Sequence, residues 1–194
     1  MLKDIGNYLD QVSALALKIP SDDIEKIIMI LLNTYHAGGR IFVFGNGGGA
    51  STASHFTCDL AKGTVTPDRP RLKAICLSDN MPLITAWAND TDYTNTFGEQ
   101  LKNLVENGDA VIGLSGSGMS PNVINAFRIA NDEGAFSILL SGFEGGDAVK
   151  VASESIIVPS EDMQQIEDVH LMLCHIIFRV VRKKIRQGRN QEYV

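Results

Sequence analysis

A chain of 194 residues with 44% hydrophobic and 21% charged residues has the make-up of one compact globular domain, which excludes a disordered or fibrous polypeptide. Its 17 Lys and Arg against 23 Asp and Glu give a net charge of −6, which disfavours a general nucleic-acid binder. The longest apolar runs, such as Ile27 to Leu32, are far too short to cross a bilayer, and the first residues lack the basic-then-apolar layout of an export signal, so the cytoplasm is the expected location.

Two helices are predicted first, over Leu2 to Lys18 and over Asp22 to His36. In the second, Ile24, Ile27, Ile28, Leu31, Leu32 and Tyr35 recur with a period near 3.6. Ser21 is placed to cap it, Asp22, Asp23 and Glu25 suit its first turn, and Gly38-Gly39 ends it. Ile41 to Phe44 is a short apolar run of strand type. The glycine loop Gly45-Asn46-Gly47-Gly48-Gly49 follows, then a helix from Ala50 to Ala61.

After a loop over Thr64 to Arg71 comes a second strand, Leu72 to Leu77, and helices over Pro82 to Asn89 and Thr96 to Val105. Ala110 to Leu114 is a third strand, running into Ser115-Gly116-Ser117-Gly118-Met119-Ser120 and a helix from Pro121 to Glu133. Phe136 to Leu140 and Ser155 to Val158 are strands four and five, and Asp162 to Arg186 is a long closing helix. Short apolar runs alternating with helical patterns predict an α/β fold: a doubly wound, mainly parallel five-stranded sheet flanked by helices, with two N-terminal helices, in a single domain over 1–194.

Cys58, Cys76 and Cys174 are three in number, widely spaced and without a CxxC, so buried or half-buried thiols are expected rather than disulfides or a zinc knuckle. Arg179, Arg182, Lys183, Lys184, Arg186 and Arg189 place six of the 17 basic residues near the C-terminus. Cations complement a helix C-terminus, and an acidic partner is the alternative.

Ligands of such a sheet bind beyond the carboxyl ends of its strands. Both loops there carry useful chemistry. Glycines let the amides of Gly45 to Gly49 face an anion at a helix N-terminus. Ser115, Ser117 and Ser120 offer hydroxyls at a second helix N-terminus, a set that suits a phosphate without Lys or Arg. Helix capping alone accounts for Ser120 but not for three serines with interleaved glycines. The Walker A pattern is absent. Gly45-x-Gly47-x-x-Ala50 matches a dinucleotide fingerprint, but Asp79, the candidate ribose acid, lies later than the usual spacing.

Gly45-Asn46-Gly47-Gly48, the following helix with His55-Phe56, and Leu114-Ser115-x-Ser117-Gly118-x-Ser120-Pro121-Asn122-Val123 together resemble the sugar isomerase (SIS) domain, and within it the bacterial phosphoheptose isomerases. The likeness extends over nearly the whole chain. It implies an aldose–ketose isomerase of phosphosugars, sedoheptulose 7-phosphate first among them, and a homotetramer with sites between subunits. It also implies roles. Asn46, Gly47 and Gly48 would line the sugar, and Asn89 and Asp90 match a substrate segment. Ser115, Gly116, Ser117 and Ser120 would hold phosphate. His55, Asp59, Glu167 and His175 fall on metal and catalytic positions, with zinc the expected ion, Asp59 and His175 the acid/base candidates and Glu167 also able to touch substrate. Departures stand at Asp59 (usually Glu), Glu167 (usually Gln), Gly49 (usually Ser), Thr52 (usually Asp) and Met163 (usually Thr). They keep two alternatives open: another phosphosugar, and a non-catalytic phosphosugar-binding or replication-initiator-associating scaffold.

The residues themselves are consistent with a metal. His55 and Asp59 are four apart and share a helix face; Glu167 and His175 are eight apart on another helix. Two imidazoles and two carboxylates are a plausible zinc set. His36 and His170 read as structural.

Overall fold

The computed structural model describes residues 1–188; the basic residue Arg189 lies outside them. Helices α1 (Leu2–Ala16) and α2 (Ser21–His36) precede strand β1 (Arg40–Gly45). The chain continues through α3 (Gly48–Cys58), β2 (Lys73–Cys76), α4 (Met81–Asp90), α5 (Gly98–Lys102), β3 (Ala110–Ser115), α6 (Pro121–Asp132), β4 (Phe136–Ser141), β5 (Glu154–Ile157) and α7 (Met163–Gln187). The five strands are all parallel, in the order β2-β1-β3-β4-β5. The winding reverses between β1 and β3, which are neighbours. Both loops singled out in the sequence therefore leave adjacent strands at the same sheet edge, at the topological switch point where such folds hold ligands.

Alternation along each strand divides the core in two. Ile41, Val43, Ile112, Leu114 and Leu140 face α1, α2, α3 and α7, against Leu31, Phe56, Leu173 and Val181. Phe42, Phe44, Val111 and Leu139 face α5 and α6, against Phe97, Leu101, Val123 and Phe127. Phe44 stacks on Phe97 with ring centroids 4.8 Å apart. Each such side chain, taken fully from water, contributes about 2 kcal/mol.

Four local expectations are corrected. Ser21 is not a cap: α2 starts on it, and the extended Pro20 is the N-cap, its carbonyl taking the amides of Asp23 and Ile24. The helix expected over Ala50 to Ala61 is α-helical only to Cys58 and then widens into a π-helical turn, Asp59–Gly63. The helix expected from Thr96 to Val105 is the shorter α5, preceded by a 3₁₀ turn at Tyr93–Asn95. Cys58 is exposed rather than buried, while Cys76 is half-buried and Cys174 buried, all three as free thiols. Among the described residues no helix is long and apolar enough to cross a membrane.

Candidate active site

The serine loop is held by its own backbone. Ser115, the last residue of β3, is buried, and its carbonyl accepts from the amide of Gly118 at 2.9 Å, closing a tight turn. Gly118 has φ +66°, and a Cβ there would lie 1.9 Å from the carbonyl oxygen of Gly145, so only glycine fits. The amide of Ala148 bonds Gly118 O at 2.9 Å, and that of Gly142 bonds Gly116 O at 2.8 Å. From below, Ser141 Oγ donates to Ser115 O at 2.6 Å. The Ser141 carbonyl lies 3.1 Å from His170 Nε2. His170 is buried on α7, and burial, opposed by that bond to Ser141, pushes its pKa down to about 4.

Ser120 is the N-cap residue of α6, yet its side chain caps nothing. Ser115 Oγ donates to it at 3.1 Å instead, so the Ser120 hydroxyl keeps its own hydrogen for a ligand. Ser117 Oγ accepts from the Met119 amide at 3.2 Å, which leaves its hydrogen available as well. The loop thus presents hydroxyls above a helix N-terminus, an arrangement that attracts anions. Met163, at the start of α7, lies across it: a Cβ on Gly116 would meet the Met163 sulfur at 2.4 Å.

On the neighbouring crest, Gly47 is the N-cap of α3, again without a side-chain cap. Glu167 sits against this turn, its carboxylate 2.4 Å from where a Cβ of Gly48 would be. An anion already rests at this helix N-terminus, so the serine loop is the better seat for a phosphate. Asn46 is half-buried and bonded to Asn122 and Tyr93.

The third group lies where α3 meets α7. His55 Nε2 stands 3.0 Å from His175 Nε2 and 3.5 Å from Asp59 Oδ2, and His175 Nε2 lies 3.9 Å from the same oxygen. One donor atom from each residue falls within 4.8 Å of the others. Two ligands about 2.1 Å from one tetrahedral ion stand about 3.4 Å apart, so these separations suit a shared divalent cation. The π-helical turn opens at Asp59 itself, a distortion frequent at functional sites. Cys174, buried beside His175, has its thiol pushed up by burial first and by the Asp59 charge second, which keeps it a neutral thiol and a poor nucleophile.

The structure gathers three of the four expected metal-site residues and sets Glu167 apart. Eight residues along a helix amount to about 12 Å of rise, so Glu167 reaches the glycine turn while His175 reaches Asp59. Asn89 and Asp90, exposed at the end of α4, bond each other at 2.9 Å, and among the described residues neither bonds the serine loop or the imidazoles. Three residues further on, Tyr93 does reach Asn46. The roles of Asn122, Thr96 and Tyr93 were not read from the sequence, although Asn122 lies within the serine-loop motif.

A family model described as SIS domain matches residues 7–142. The chain belongs to the SIS-domain family. Within that family it stands among the phosphoheptose isomerases. It is 39% identical over 158 residues to the phosphoheptose isomerase of Thermodesulfovibrio yellowstonii, covering 81% of this chain and 78% of that one. The corresponding protein of Sulfurimonas denitrificans is 35% identical over 162 residues, covering 84% and 83%. The solved phosphoheptose isomerase of Neisseria gonorrhoeae superposes with a TM-score of 0.87 at 25% identity, over 94% of this chain and 99% of that one. The five-stranded parallel sheet flanked by helices is the fold this chain shares with that solved structure.

Proposed function

We infer that this chain is an aldose–ketose isomerase of phosphosugars, acting on sedoheptulose 7-phosphate to give the heptose 7-phosphate. The observation that carries this is the pairing, on one sheet edge and its flanking helices, of a phosphate-type hydroxyl loop with a cluster of two imidazoles and a carboxylate. The relatives' names supply the substrate. Isomerisation moves a proton between adjacent carbons through an enediol, which needs a base for the C–H proton and an acid at the carbonyl oxygen.

Ser115, Gly116, Ser117 and Ser120 hold the phosphate, and that binding energy orients the reacting end. Asn46, Gly47 and Gly48 line the sugar. Both imidazole contacts of Asp59 fall on Oδ2, which leaves Oδ1 to take the C–H proton. His175 gives a proton to the carbonyl oxygen; Asp59 then returns its proton to the neighbouring carbon, and His175 regains one from the hydroxyl that becomes the new carbonyl. His55, Asp59 and His175 are also the residues that would hold a divalent cation, zinc by preference. When bound, such an ion polarises the carbonyl and stabilises the enediolate. Glu167, whose carboxylate lies over Gly48, touches a sugar hydroxyl in this reading, and that position supports the role.

Assembly into a homotetramer is part of this reading. Leu2, Ile5 and Leu9 form an apolar stripe on α1, 85%, 54% and 61% exposed, while α1 is tied to α7 by polar bonds from Tyr8 to Asp168 and from Gln165 to Gln11. No residue of α4 is buried, though Met81, Leu83 and Trp87 lie on it. A second subunit covering these faces would also bring Asn89 and Asp90 a partner. A cytoplasmic location completes the proposal.

The test is incubation of the protein with sedoheptulose 7-phosphate, with and without zinc, and detection of the aldose. Product is expected, and Ser120→Ala should raise KM about tenfold with an unchanged melting temperature. No aldose under any metal condition moves the assignment to another phosphosugar or to a non-catalytic binding protein.

A further inference from the structure

Asn122 belongs to the serine-loop motif yet takes no part in the anchor. It is the second residue of α6 and only 1% exposed, and its side chain meets Asn46. The two amides pair reciprocally. Asn46 Nδ2 donates to Asn122 Oδ1, and Asn122 Nδ2 donates to Asn46 Oδ1, each at 2.9 Å. Asn122 Nδ2 also donates to Thr96 Oγ1 at 3.2 Å. Thr96 gives its own hydroxyl hydrogen to the carbonyl of Tyr93 at 2.9 Å. The Tyr93 hydroxyl closes the ring by donating to Asn46 Oδ1 at 2.9 Å.

A backbone carbonyl only accepts. The Tyr93 carbonyl therefore sets the direction of the Thr96 hydroxyl and makes Thr96 Oγ1 an acceptor towards Asn122. Asn122 must turn its amino group, not its carbonyl, to Thr96, and the reciprocal pairing with Asn46 then has one orientation. Asn46 is left with both lone pairs of Oδ1 occupied and one of its two N–H groups in use. A single N–H remains.

We propose that Asn122 is a positioning residue which, with Thr96 and Tyr93, locks Asn46 so that it offers the sugar one hydrogen-bond donor and no acceptor. An amide free to turn over could present either its carbonyl or its amino group to the sugar. A locked donor requires an oxygen lone pair there, which a carbonyl or an enediolate always offers and a hydroxyl offers only with its own hydrogen turned elsewhere. The proposal rests on the isomerase reading only in taking the sugar to lie against Asn46.

The experiment combines a mutant cycle with a measurement that needs no turnover. Asn122→Asp keeps the shape of the side chain but removes both hydrogens of Nδ2. It should raise KM for sedoheptulose 7-phosphate about tenfold or more, with a smaller change in kcat. Tyr93→Phe, at an exposed position where folding is safe, should act in the same direction by a few-fold. Both effects should vanish in an Asn46→Ala background, where nothing is left to position. A merely structural role would cost as much with Asn46 absent as with it present, and that result overturns the proposal. In nitrogen-15-labelled wild-type protein, the bonded side-chain amide proton of the half-buried Asn46 should exchange far more slowly than those of the exposed Asn7, and faster again in Tyr93→Phe. Equal exchange rates also overturn it. Wild-type protein without turnover would sink the substrate assignment, and the exchange rates would still decide the lock.

Discussion

The two ends of the site are built in opposite ways. The serine loop is buried at its root and fixed by backbone bonds from Gly118, Gly142 and Ala148, with His170 and Ser141 beneath it. The imidazole end is exposed, and among the described residues the polar partners of His55 and His175 are each other and Asp59 rather than a backbone group. The serine loop is thus held by the fold itself, whereas the imidazole end holds its shape through three side chains that meet one another. A loop held in place by backbone bonds is suited to orienting whatever binds it. A cluster of side chains at the surface can take up an ion and release it.

Removing the imidazoles sharpens this contrast most. His55→Ala with His175→Ala should abolish divalent-metal binding and lower activity about a thousandfold, with a melting temperature within a few degrees of wild type. Metal analysis of both proteins and a thermal melt check this; equal metal content in the two would refute the site. The opposite response belongs to Gly118. Its alanine variant forces a Cβ into the Gly145 carbonyl at a positive φ, and about 3 kcal/mol of stability should go, or about 6–12 °C in melting temperature. An unaltered melt would show that the loop bends freely after all.

A smaller effect separates the two ends by pH. His170 is neutral when folded, with its pKa pushed down to about 4, but takes a proton near pH 6.5 once unfolded. The unfolded chain therefore binds more protons between those values, and stability falls as the pH drops through them. From pH 7 to pH 5 the loss is about 2 kcal/mol. Urea unfolding at the two pH values should show it, and His170→Asn should flatten the difference.

Much of the fold was legible because local signals agree with one another. Apolar runs of Ile, Val, Phe and Leu marked all five strands, and Pro121 with Asp162 marked helix starts that the structure keeps. The glycine and serine loops were legible for the same reason, since strand, loop and helix are contiguous in the chain. What escaped was set by packing across the sequence. The ring of Asn46, Tyr93, Thr96 and Asn122 joins three separate segments, so no spacing announces it. Glu167 and His175 share a helix, but only the placement of α7 against α3 decides that one meets the glycine turn and the other the carboxylate. Ser120 looked like a helix cap because its position is right; its neighbour Ser115 claims the oxygen first.

Helix α7 carries Met163 over the serine loop, Glu167 over the glycine turn, His170 under β4 and His175 at the imidazole cluster. One unbroken rod therefore gauges the whole hollow. A single inserted residue midway would swing every group beyond it by about 100° and leave the first half in place. Evolution can exchange letters along this rod to retune the sugar it accepts, but it cannot lengthen it without dismantling the enzyme.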